Sequence, residues 1–216
     1  MSPKPLLVLL AVIAALSGCT QFDEWMSTAS GRAAPTAVKE EGTPADSVYT
    51  NSDAAVASRD LRNIYIAPAN LANMQVIQPE GATADIEWWV TDSEASILQQ
   101  AIVEQFAAEL AYGSAFYIVA TPQEAQIVIE TAVVAIHPNV TRSSAAARSN
   151  AGGAITVSIA AVNAASGAAL VRVVDTKPTD DIWAFNRVEA GDPAPNGIFR
   201  ALGNSLRQGL LQLQGR

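Results

Sequence analysis

Two long stretches of helical apolar spacing, one on each side of a succession of β-branched runs, predict an α+β domain. The expected architecture is a mainly antiparallel four- to five-stranded sheet with two long helices packed on one face, in the order β-α-β-β-β-β-α. A third observation, the turn residues Asn163 to Gly167 between two of those runs, makes at least one pair of strands a hairpin. The stretch 60–216 falls in the common size range of a single domain, can bury a substantial core and shows no solenoid-like repeat.

Asn63-Ile64-Tyr65-Ile66-Ala67-Pro68 is a short β-branched and aromatic run stopped by proline, the first strand. An irregular link with Trp88 and Trp89 follows. Thr91-Asp92-Ser93-Glu94 has the capping-box form, so a helix starts there, and Leu98, Ile102, Phe106 and Leu110 recur every four residues along it. Gly113 stands where a left-handed residue closes a helix. Phe116 to Ala120 is the second strand, ended by Thr121-Pro122, and Gln126 to Ile136 is a longer, largely buried one. Asn139 to Gly153 reads as a loop at the end of the sheet, with Arg142 and Arg148 too few to argue an anionic partner. Ala154 to Val162 and Ala169 to Asp175 form the hairpin. A loop carrying Lys177-Pro178, Asp180-Asp181, Trp183, Pro193 and Pro195 leads to Ile198, Phe199, Leu202, Leu206, Leu210 and Leu213, an amphipathic helix. A sheet with helices on one face has its other face as the natural docking place, which an apolar patch there would support.

Upstream, Lys4 precedes an unbroken apolar run from Leu6 to Leu16, too short to span a bilayer, which takes roughly 20 residues. Leu16-Ser17-Gly18-Cys19 closes this secretory signal in the form of a bacterial lipobox, with cleavage between Gly18 and Cys19 and lipid attachment at Cys19. Residues 1–18 are therefore the expected signal peptide and 19–59 a lipidated N-terminus and tether. The tether is rich in Ala, Ser, Thr, Gly and Pro, with a random-coil span of roughly 35 Å. Phe22, Trp25 and Met26 interrupt it, and Val48 and Tyr49 stand where the domain's first contact would begin. Several acyl chains give a lasting anchor. Thr20 after the cysteine, where an Asp would retain a lipoprotein in the inner membrane, resembles the outer-membrane sorting pattern.

With its only cysteine lipidated, the mature chain has no thiol for a disulfide, a metal or nucleophilic catalysis. The chain has 13 basic and 21 acidic residues; losing Lys4 with the signal takes the formal net charge from -8 to about -9. That surface repels nucleic acid and anionic lipid heads, so no nucleic-acid partner is expected. His137 is the only histidine and has no second imidazole or thiol for a transition metal. No G-x-S-x-G, S-x-x-K, G-x-x-x-x-G-K or G-x-G-x-x-G motif occurs. Catalytic residues, metal ligands and cofactors are thus expected to be none. Asp85 and Glu87 before Trp88-Trp89, and Asp180-Asp181 before Trp183, lack calcium-loop spacing. The Asn139-Val140-Thr141 sequon says nothing behind a bacterial lipobox.

The domain resembles proteobacterial lipoproteins of the DUF3313 type, a domain of unknown function. The likeness is carried by Tyr49, the Asn63 to Pro68 strand, the helix through Ile102 and Leu110, and the Gln126 to Ile136 strand. It continues through the hairpin with Ala165-Ser166-Gly167 ahead of Ala168-Ala169-Leu170. It covers most of Tyr49 to Leu213 and departs at the Ala/Ser-rich Ser143 to Gly153. These motifs are structural, and the resemblance implies an envelope location and this fold with no catalytic residues to transfer.

The expected role is a noncatalytic accessory or protein-binding domain in an envelope assembly or transport system. It would be held to the outer membrane through acyl chains on Cys19 and face the periplasm, with an envelope protein as partner. One alternative is a module binding an envelope glycan or lipid through Trp88, Trp89 or Trp183. Another is a hydrolase using Glu87, Asp92 or His137.

Overall fold

The computed structural model describes residues 38–39, 47–50, 59–83, 87–141, 152–180, 182 and 197–215. In chain order the elements are β1 (Val38–Lys39), β2 (Ser47–Thr50), β3 (Asn63–Ile66), β4 (Gln75–Val76), α1 (Asp92–Ala111) and β5 (Tyr117–Ile118). They continue with β6 (Ile127–Pro138), β7 (Gly153–Asn163), β8 (Ala169–Thr179) and α2 (Gly197–Leu213). They form one α+β sheet of eight strands in the order β1-β2-β8-β7-β6-β3-β5, with β4 pairing β6 beyond β3.

The α+β architecture follows the expectation, and the sheet is wider than the four to five strands expected. The long strands β6, β7 and β8 pair antiparallel. The parallel part sits on the other side of β6, where β3 pairs with both β5 and β6. The cause is α1, which carries the chain back along the sheet between β3 and β5; strands joined by such a crossover run the same way. Asn63 to Ile77 in effect forms one interrupted strand along β6. Ala67 N–H donates to Ile129 O at 2.9 Å, Asn70 N–H to Thr131 O at 2.7 Å and Ile77 N–H to Ile136 O at 2.9 Å. Pro68, which has no N–H to give, stands at the break.

Two boundaries shift. Ser47–Thr50, within the stretch expected to be tether, pairs antiparallel with Val171–Val174 of β8, so the sheet begins upstream of residue 60. At its other end β8 runs on through Lys177-Pro178, expected as loop. Among the described residues β2 flanks β8 only as far as Val174, and Pro178, which has no N–H to give, lies beyond that point.

The helix signals act as their chemistry predicts. Thr91 Oγ1 accepts from the Glu94 N–H at 3.2 Å and Glu94 Oε2 accepts from the Thr91 N–H at 2.8 Å, the reciprocal capping box. Gly113, with φ of 66°, turns the chain after α1. In the hairpin, Asn163 Oδ1 accepts from the N–H groups of Ala165 and Ser166, both at 3.0 Å. Leu98, Ile102, Phe106 and Leu110 of α1 and Phe199, Leu202, Leu206 and Leu210 of α2 are buried together. They pack on Ile127, Ile129, Val133, Ile155, Val157 and Ile159 of one sheet face. The two helices touch closely at Gly203, where an added methyl would meet Glu109 Cβ at 3.1 Å and Phe106 Cδ1 at 3.3 Å.

Candidate functional site

The irregular link before α1 is held to the sheet by one glutamine. Gln78 Nε2 donates to the carbonyl of Trp88 and Gln78 Oε1 accepts from its N–H, both at 2.8 Å. The indole N–H of Trp88 donates to the carbonyl of Val140, just past β6. Extended backbone sends neighbouring side chains to opposite sides. Trp88 is 5% exposed and belongs to the core, while Trp89 is 52% exposed. The pair therefore offers no two-ring platform: Trp88 is a structural anchor and Trp89 alone can meet a ligand. Ile77 and Val140, on the segments stitched to Trp88, are exposed as well.

The other candidates are scattered. Glu87 and Asp92 are exposed, and Asp92 is the first residue of α1. His137, half-buried on β6, has its Nε2 3.4 Å from Thr156 Oγ1, which lies 3.1 Å from Thr176 Oγ1. This polar row crosses three strands on the sheet face away from the helices. Among the described residues no cluster of three His, Cys, Asp or Glu is placed to hold a metal ion, and no helix is long and apolar enough to cross a membrane. Gly18, Cys19 and Trp183 lie outside the described residues, as do Asp85 and Asp181.

The sheet face away from the helices was the expected docking place, on condition of an apolar patch. By register it carries Val128, Glu130, Ala132, Ala135, His137, Thr156, Ser158, Ala160, Val162, Arg172, Val174 and Thr176. Small and polar side chains are mixed there with the half-buried Val128, Val162 and Val174. Among the described residues the exposed large apolar groups sit instead near the two ends of α1. Ile77, Trp89 and Val140 mark one end. At the other, Tyr112 is 68% and Tyr117 59% exposed, with Ile118 beside them. The guanidinium of Arg207 from α2 lies 5.3 Å from the centre of the Tyr112 ring, within cation–π range. In the sequence Phe116 to Ala120 reads only as a second strand, with nothing local to mark it as an exposed edge. Only Phe116 of the Phe116–Ile118 run is buried, since β5 is the sheet's edge.

No protein-family model matches the chain, and no curated protein matches it by sequence. Among solved structures it is similar to a Xanthomonas campestris protein of the DUF330 family, at 11% identity and a TM-score of 0.43, over 74% of this chain and 90% of that one. It is also similar to a single-substitution variant of the PelC dodecamer from Paraburkholderia phytofirmans, at 13% identity and a TM-score of 0.40, over 80% and 96%. A third is a lipoprotein from Neisseria meningitidis, at 9% identity and a TM-score of 0.35, over 68% and 99%. Scores this low carry no inference about what the chain does.

Proposed function

We propose that this chain is a lipoprotein of the Gram-negative envelope, held to the outer membrane by acyl chains on Cys19 and facing the periplasm. Its α+β domain then works without catalysis, by binding a protein partner of an envelope assembly or transport system. The observation that carries the reading is Leu16-Ser17-Gly18-Cys19 at the end of an apolar run too short to span the bilayer. The likeness to DUF3313 lipoproteins belongs to the same proposal. Exposed tyrosines and an arginine at one end and an exposed tryptophan at the other support a protein-binding role, because such side chains anchor protein interfaces.

Cells expressing the chain and fed labelled palmitate test the anchor. The wild type is expected to take up label and fractionate with outer membrane, and Cys19→Ala to lose both. An unlabelled wild type overturns the anchor. Crosslinking in intact cells then tests the role: a reproducible envelope protein captured by the wild type and lost with Cys19→Ala is expected. An empty capture with correct fractionation transfers the reading to a glycan- or lipid-binding module, which the 52% exposure of Trp89 favours. In that case Trp89 fluorescence responds to the ligand and Trp89→Ala abolishes the response.

A further inference from the structure

The way the chain enters the sheet singles out one end of it. β1 and β8 both run antiparallel to β2, so β1 runs in the direction of β8, away from the Asn163 to Gly167 turn. Val38 is level with Thr50, and Thr50 with Val171 near the start of β8, so the chain reaches β1 from the turn end. The edge strand β5 lies at the same end. Ile118 is level with Ile64, Ile64 with Ile127, and Ile127 with Asn163. Tyr112, Tyr117 and Ile118 are exposed there, as is the uncharged hairpin tip Ala164 to Ser166.

Charge sets this end apart as well. The chain carries a formal net charge of -8, yet here Arg59, Arg62 and Arg207 stand against Asp60 and Glu124, and Asp53 in the link 51–58 makes the balance even. Glu109 is paired with Arg200 at 2.9 Å. Arg207 lies over the Tyr112 ring, and the carbonyl of Arg62 accepts from the Tyr117 N–H at 2.9 Å, so each tyrosine has an arginine beside it. Towards the start of α1, by contrast, Glu80, Glu87, Asp92 and Asp180 are exposed, and Lys177 is paired with the buried Asp175.

We propose that the end bearing Tyr112 and Tyr117 rests on the bilayer that anchors the chain, with both rings in a zwitterionic headgroup layer and Arg62 and Arg207 at lipid phosphates. This orientation rests on the reading of Cys19 as the lipidated residue and adds to it which way the domain faces. The tether selects the bilayer as occupant. Val38 follows Cys19 by 19 residues, a length with a random-coil span of roughly 24 Å, shorter than the roughly 30 Å of α1, so the end where the chain enters is the one brought to the membrane. The side chains suit that surface: tyrosine rings sit at headgroup level, and guanidinium groups pair with phosphate. The even charge balance suits it too, since the opposite end would carry four carboxylates into the headgroup layer. A short tether also keeps the bilayer at high effective concentration, so the contact forms without strong intrinsic affinity. The end with Ile77, Trp89 and Val140 is then left facing away, towards a protein partner.

The test puts one fluorophore on the full lipidated chain, through Gln123→Cys at the tyrosine end or Glu87→Cys at the opposite end, both exposed positions. Lipid blocks Cys19, so only the introduced thiol reacts. The chain is reconstituted in phosphatidylcholine vesicles holding a lipid with a quencher on its headgroup; flotation reports the anchor and circular dichroism the fold. Quenching at Gln123→Cys is expected to exceed that at Glu87→Cys about threefold or more, given the roughly 30 Å between the ends of α1. Adding Tyr112→Asp with Tyr117→Asp is expected to remove most of that difference while the chain still floats, and Tyr117→Ser alone serves should the double variant unfold. Equal or reversed quenching in chains that float overturns the orientation and leaves the anchor standing, as does a difference that survives loss of the tyrosines. Fluorophores at Gln123→Cys that quench one another in place of the lipid assign this end to a second copy and overturn the proposal. A chain that does not float overturns the anchor and the orientation with it, so the two failures are told apart.

Discussion

The two faces of the central sheet are built to different rules from the same three strands. Towards the helices, β6 and β7 present Ile127, Ile129, Val133, Ile155, Val157 and Ile159, bulky groups that meet the leucines and phenylalanines of α1 and α2. On the far face the alternate positions hold Ala132, Ala135, Ser158 and Ala160, buried yet outside that core, with the His137–Thr156–Thr176 row beyond. One face is filled by large side chains, and the other mixes small and polar ones with the half-buried Val128, Val162 and Val174. The lesson is that apolar composition alone does not mark a docking surface: among the described residues the large exposed apolar groups lie near the two ends of α1.

The contrast is broken most severely on the helix side. Phe106 is fully buried at the point where α1 meets Gly203 of α2. Phe106→Ala should lower unfolding free energy by about 3–5 kcal/mol, the range for emptying an aromatic site in a packed core, read as the shift of a urea midpoint. Thr156→Val on the far face should cost less than about 1 kcal/mol, and equal losses from the two would show that the faces do not differ as described.

A smaller effect is expected at a charged pair of β8 on the helix side of the sheet. Asp175 lies opposite Val157 and is buried, with Lys177 Nζ 2.8 Å from its carboxylate. Lys177→Met strips a buried carboxylate of its partner and should cost about 3 kcal/mol. Replacing both, by Lys177→Met with Asp175→Leu, should restore most of that loss, because two apolar groups need no pairing. A double variant no better than the single one would mean that Asp175 is held by more than its lysine.

How far the sequence discloses this arrangement depends on how local each cause is. The start of α1 is legible because Thr91 and Glu94 satisfy each other three residues apart, and the hairpin because Asn163 bonds its own turn. The parallel edge is not, since nothing in Tyr117-Ile118 says which strand it will join; that is decided by the distance α1 carries the chain. Ser47–Thr50 likewise becomes a strand only because β8 offers it an edge. Trp88 and Trp89 look alike in the sequence, and their opposite fates are set by Gln78, ten residues upstream, clamping the backbone of one. The lipobox stands apart as a signal read by processing enzymes, legible without any fold at all.

The finest comparison sets two hydroxyls against each other. Thr131 Oγ1 is buried on the helix side of β6 and Ser158 Oγ on the far side of β7, and neither has a hydrogen-bond partner. A buried hydroxyl without a partner has lost its hydration and gained nothing, so removing it should not destabilise. Thr131→Val, which replaces the hydroxyl by a methyl among Ile129, Val133 and Ile159, should raise stability by about 1 kcal/mol. Ser158→Ala should raise it by less, about 0.5 kcal/mol, since its surroundings of small side chains gain little from the exchange. Thermal unfolding of the two variants separates them. If Ser158→Ala instead destabilises by more than about 1 kcal/mol, the hydroxyl has a partner in solution and the far face is an engaged surface rather than a flat one.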